Sequence, residues 1–275
     1  MIYDNLGEGA LDYFPCRYGK SKLTFRGPRR RLDGRYYAVL GGTEAYGKFV
    51  ARPFANLAEE ISGTKVVNLG NMNAGIDVYS GDQTVLDACG GAAATVLQVS
   101  GAQNMSNRFY AVHPRRNDRF LRASSLLKTI YREVDFTEFN FTRHLLGRLK
   151  DISEDKFVMV EQELKEAWVA RMKMLVSRIE SPVVLLWLAD HSPDDVTSCT
   201  AEGSDPLFVD RQMLHEVMPY AAATVEVVID ARAIEDGFAG LVYSEMEAPA
   251  ARGMLGTVAH ERAAEALAPV LDAIG

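Results

Sequence analysis

Tyr36-Tyr37-Ala38-Val39-Leu40-Gly41-Gly42-Thr43-Glu44-Ala45-Tyr46-Gly47 reads as a strand that stops at glycine and feeds a helix. Tyr36 to Leu40 is short, apolar and β-prone, and Gly41 and Gly42 end it. The segment after Thr43 and Glu44 can become helical through Phe54 and Leu57. A buried strand that breaks in this way places a hydroxyl at the C-terminal edge of a sheet, where open α/β sheets bind ligands.

Four further runs have the same character: Lys65–Leu69, Thr95–Val99, Val183–Leu188 and Val225–Ile229. Their hydrophobicity is continuous rather than alternating, which fits strands covered on both faces. Helical patterns lie between them at about Arg52–Ile61, Thr84–Ala88, Phe157–Ile179 and Leu207–Ala222, and an amphipathic helix runs from about Ala259 to Ile274. Trp168, Met172 and Met174 lie in a helical pattern and read as core. Strands alternating with helices imply right-handed crossovers and a parallel sheet. The expectation is a three-layer α/β domain with five parallel strands in the order 2-1-3-4-5. It spans 36–275, follows an N-terminal arm over 1–35, and carries a mainly helical insertion at about 108–156, serving as a lid or an oligomer contact.

The arm is locally basic. Between Arg17 and Arg35 there are eight Arg and Lys residues against one acid, Asp33. Two readings apply. Arginines such as Arg26 and Arg30 clamp the arm onto an acidic body, or they bind an anionic group of a ligand. The formal net charge of −7 argues against general nucleic-acid binding. Three separated cysteines, Cys16, Cys89 and Cys199, suggest reduced thiols and not a zinc site. With no apolar run near ~20 residues and no secretory signal at the start, a cytoplasmic protein is expected, with no membrane partner. Neither a cofactor nor a metal is called for. Asp190-His191-Ser192-Pro193-Asp194-Asp195 reads first as a capped turn, although Asp190 and His191 follow the fourth strand and lie near the ligand edge.

Four blocks sit at strand ends or at the last helix: Gly41–Gly47, Val66–Gly75, Leu97–Asn104 and Gly256–Ala264. Their order and spacing resemble the SGNH, or GDSL-like, hydrolase superfamily, which has a flavodoxin-like sheet. The chain also looks like a bacterial family of uncharacterised proteins carrying Tyr-Gly-x-Ser, Phe-Arg-Gly-Pro and Gly-Gly-Ser/Thr-Glu, here Tyr18–Ser21, Phe25–Pro28 and Gly41–Glu44. The first resemblance implies Thr43 as nucleophile, His260 as base, and an oxyanion hole from the N–H groups of Thr43 and Gly70 with the Asn104 amide. Glu44, Asn71, Asn73, Asp190 and His191 join Arg26 and Arg30 as candidate substrate contacts. Two positions depart from the SGNH pattern: Thr43 stands where serine is usual, and Thr257 stands where an acid normally orients the histidine. The implied activity is an esterase or acyltransferase for an acylated, anionic carbohydrate or small molecule. The alternative is a non-catalytic binder of a sulfated or phosphorylated saccharide, or of a nucleotide, on the same fold.

Overall fold

A computed structural model describes residues 10–195 and 204–275. Cys199 and the first nine residues lie outside the described residues. The chain runs through β1 (Tyr37–Leu40), α1 (Thr43–Tyr46), α2 (Phe54–Ser62), β2 (Val66–Asn68), α3 (Ile76–Ser80), α4 (Gln83–Gly90) and β3 (Ala94–Gln98). It continues with β4 (Tyr110–His113), β5 (Arg116–Ala123), α5 (Ser125–Ile130), α6 (Thr142–Ile152), α7 (Glu154–Arg178) and β6 (Val183–Ala189). The last elements are α8 (Arg211–Val217), β7 (Ala223–Val228), α9 (Ala231–Phe238), α10 (Ala248–Ala251) and α11 (Thr257–Ile274).

Five strands form a parallel sheet in the order β2-β1-β3-β6-β7. Leaving aside the separate β4–β5 hairpin, this is the order 2-1-3-4-5. The continuous apolar runs are explained by two cores, because successive side chains of a strand point to opposite faces. From β6, Val183, Leu185, Trp187 and Ala189 enter one core, with residues of α3, α4, α7 and α8. Val184, Leu186 and Leu188 enter the other, with residues of α2, α9 and α11. Trp168 and Met172 are buried as expected, but Met174 is 44 % exposed: it falls on the outer side of α7.

The insertion differs from the expected helical unit. It opens with the antiparallel β4–β5 hairpin before α5 and α6. The charge-rich sequence of β5 hid its strand, which buries Asn117, Phe120 and Ala123 between outward-facing arginines. Asn117 is wholly buried, and its Oδ1 accepts from the N–H groups of Gly75 and Val78, tying the hairpin to the loop after β2.

The N-terminal arm is part of the body. Tyr18, Leu23 and Phe25 are buried in the first core, and Ser21 Oγ donates to Asp82 at 2.6 Å. Cys89 is buried, and burial pushes its thiol up to about 12, which keeps it unreactive. Among the described residues, no helix is long and apolar enough to cross a membrane.

Candidate ligand cleft at the sheet edge

The C-terminal ends of β1, β3 and β6 open into a cleft of about 630 Å³. Thr43 and Glu44 enter it from α1, Asn73 and Asn104 from the loops after β2 and β3, and Asp190 from the end of β6. The apposition is fixed by backbone packing. Gln98, at the last position of β3, turns its Oε1 onto the N–H groups of Gly42 and Ala45 at 3.2 and 3.1 Å, which anchors α1. This polar residue inside an apolar strand was the available sequence signal for a site-building role.

Thr43 does not meet His260 as a nucleophile meets its base. The Thr43 hydroxyl accepts from the Asn73 N–H at 3.1 Å and faces Asn73 Oδ1 at 3.4 Å. His260 is fully buried behind α1, stacked on Phe54 with 5.8 Å between ring centroids. Its Nδ1 accepts the Phe54 N–H at 3.1 Å, which an imidazole nitrogen does only when unprotonated. The ring proton therefore sits on Nε2, which faces Glu44 Oε2 at 3.6 Å. That separation is outside hydrogen-bond range, and neither atom has another partner among the described residues. In this arrangement the lone pair needed for base catalysis is used to hold the start of α2.

Gly70 also departs from its expected place in an oxyanion hole. Its N–H donates to Asn68 Oδ1 at 2.9 Å. A Cβ here would meet the Tyr46 nitrogen at 2.5 Å, so Gly70 is a packing glycine beneath α1. Asn104 does line the cleft. Thr142 Oγ1 donates to its Oδ1 at 2.7 Å, leaving the Asn104 NH2 as the group able to donate to a ligand.

Of the expected contacts, Glu44, Asn73 and Asp190 line the cleft. His191 stands behind Asp190. The Asp190 carboxylate accepts from His191 Nδ1 at 2.8 Å and from Ser204 Oγ at 2.5 Å. These bonds, that from His191 first, hold Asp190 below the usual carboxylate range and favour its charged form. Asn71 is a brace for the arm, its Nδ2 donating to Thr24 O at 2.9 Å.

Of the two readings for Arg26 and Arg30, clamping fits their intramolecular partners, and neither lines the cleft. The Arg26 guanidinium donates to Gly47 O at 2.5 Å and Ala51 O at 2.8 Å and lies over the Tyr13 ring, while Arg30 pairs with Glu59 at 2.7 Å. Burial holds Arg26 below its usual pKa. Arg26→Ala should therefore lower the unfolding free energy by about 1–3 kcal/mol, since the carbonyl of the buried Gly47 loses its donor, and leave ligand affinity in the cleft unchanged. Urea unfolding beside a binding titration measures both.

The cations that do line the cleft are Lys48, Arg143 and Arg252, which sequence reasoning missed because no motif surrounds them. Lys48 faces Glu247 at 3.9 Å and Arg143 pairs with Asp205 at 3.2 Å. Arg252, exposed after α10, has no ion-pair partner among the described residues. Among the described residues, no three His, Cys, Asp or Glu side chains gather as a metal site.

No curated protein matches the chain. One solved structure similar to it is the lipase Lip_vut3 from a goat rumen metagenome, at 12% identity over 85% of this chain and 96% of that one, with a TM-score of 0.41. A likeness this loose carries no inference about chemistry. A family model described as a domain of unknown function, DUF6473, matches residues 1–275, and the chain belongs to that family.

Proposed function

We propose that the cleft binds a hydroxyl-rich small molecule bearing an anionic group, a sulfated or phosphorylated saccharide, without using Thr43 as a nucleophile. The observation that carries this reading is the commitment of His260 Nδ1 to the Phe54 N–H, which removes His260 as the base that would activate Thr43. What remains in the cleft is recognition chemistry. Asp190 and Asn73 offer acceptors for hydroxyls, Asn104 offers an amide donor, and Arg252 offers a cation for sulfate or phosphate. The SGNH-like order of the blocks supports ligand binding at this edge.

The test is calorimetric titration with the 6-sulfates and 6-phosphates of glucose, galactose and N-acetylglucosamine. At least one should bind, and at 100 times its dissociation constant it should stabilise the fold by ~2.7 kcal/mol. Arg252→Ala should weaken it roughly tenfold or more, the loss expected of one charge-assisted contact. Failure of all six to bind would refute the reading.

One observation favours a second reading, ester processing: the Thr43 hydroxyl and the oriented Asn104 amide line the same cleft. Under that reading 4-nitrophenyl acetate is hydrolysed and Thr43→Ala abolishes turnover. Under the binding reading the wild type and Thr43→Ala release nitrophenol at the same background rate.

A further inference from the structure

A second cavity, of about 1000 Å³, shares Asn73, Asn104, Arg143 and Asp205 with the first as lining residues, so the two are contiguous. Its chemistry is different. Gln103 is only 1 % exposed; its Nε2 donates to Asp205 Oδ1 at 2.6 Å, while its Oε1 is buried with no partner among the described residues. Asp118 Oδ1 is buried and equally without a partner among them. Burial also holds the Asp118 carboxyl above its usual range. Gln103 Oε1 packs against Gly101, so the acceptor that the cavity offers a ligand O–H or N–H is the Asp118 carboxyl.

The rim adds an apolar surface. Phe141, at the N-terminal cap of α6, is 43 % exposed, with the Arg119 guanidinium 5.5 Å from its ring centroid. A half-exposed ring offers a platform for the C–H face of a sugar. Charges around the cavity offset one another: Asp151 and Glu154 stand with Arg148 and Lys150, Asp205 pairs with Arg143, and Asp118 Oδ2 pairs with Arg116 at 3.5 Å. Such a wall has no single sign with which to select a charged group, unlike the cleft mouth at Arg252.

We infer that the ligand is at least a disaccharide, with its charged residue in the cleft beside Arg252 and an uncharged sugar in the second cavity against Phe141 and Asp118. This rests on the saccharide reading of the cleft and adds to it the length and polarity of the ligand. Asn104, on the boundary, would contact both sugars. A hydroxyl of the second sugar would donate to the Asp118 carboxyl.

The experiment titrates each charged monosaccharide above against the β-1,4-linked disaccharide in which the same charged sugar is followed by an unmodified one. The disaccharide should bind at least tenfold more tightly. Phe141→Ala and Asp118→Ala should each remove most of that gain while leaving monosaccharide affinity unchanged, and Arg252→Ala should weaken both ligands by the same factor. Circular dichroism confirms that each variant is folded, and Phe141→Ala, at a half-exposed site, keeps the test decisive if Asp118→Ala does not fold. Monosaccharide binding with no gain from the second sugar overturns this inference and leaves the cleft reading standing. Gain that survives Phe141→Ala also overturns it, as does adenosine monophosphate binding that Phe141→Ala abolishes. No binding by any member of either set refutes both.

Discussion

His260→Ala should lower the unfolding free energy by about 3–5 kcal/mol, the range for emptying a fully buried aromatic-sized site, with an unpaired N–H adding to the loss. The ring fills space against Phe54, and its Nδ1 is the acceptor for the Phe54 N–H at the start of α2. Removing it leaves a cavity and a buried donor with nothing to bond. Thr43→Ala, by contrast, loses only the contacts with Asn73 and should cost about 0.5–1.5 kcal/mol. Chemical denaturation of the two variants side by side distinguishes a scaffold histidine from a catalytic one. A His260→Ala protein of native stability that has lost an ester-cleaving activity would restore His260 to the reacting centre.

Gly75→Ala should damage stability and binding together. A Cβ on Gly75 would lie 1.9 Å from the Asn104 carbonyl oxygen, a distance no real contact tolerates, and a tight 3.1 Å from the Asn104 Cβ. The loop carrying Asn104 must move, and Asn104 borders both cavities. Overpacking of this kind costs about 1–3 kcal/mol. Because Asn104 shifts with the loop, affinity for charged mono- and disaccharides should fall at least tenfold, beyond the effect of Thr43→Ala. Melting temperature and calorimetric titration check the two halves. A variant neutral in both would show that the close approach does not position Asn104.

These two residues also mark what was legible in the sequence. The strand order was readable because β1, β3 and β6 are apolar on both faces, and that pattern is local. The ligand edge was readable for the same reason: glycine ends β1 and puts Thr43 and Glu44 beyond it. His260 was visible as a lone histidine in the first turn of the last helix, but its partner was not. Whether it turned toward Thr43 or toward Phe54 depends on how α11 packs against α2, and the intervening sequence carries no sign of that. Similarly, a run of arginines in the arm reads alike whether the groups opposite are a ligand's sulfate or the chain's own carbonyls. For Arg26 the partners are Gly47 O, at the end of the short helix that presents Thr43, and Ala51 O in the loop beyond it. The β4–β5 hairpin was hidden because its outer face is charged and its inner face rests on the buried Asn117, a residue that propensity assigns to turns.

The Tyr37 hydroxyl, on the first strand, donates to Leu271 O of the last helix at 3.1 Å across 234 positions. The same layer brings Phe54, Ala55 and Ala58 of α2 against Ala263, Ala264 and Leu267 of α11. During synthesis on the ribosome, the sheet face that these groups cover therefore emerges long before its cover. At ~5–20 residues per second, the apolar side of α2 waits on the order of 10–40 seconds for α11. For that interval the nascent chain offers a sticky surface to whatever holdase or neighbouring polypeptide it meets.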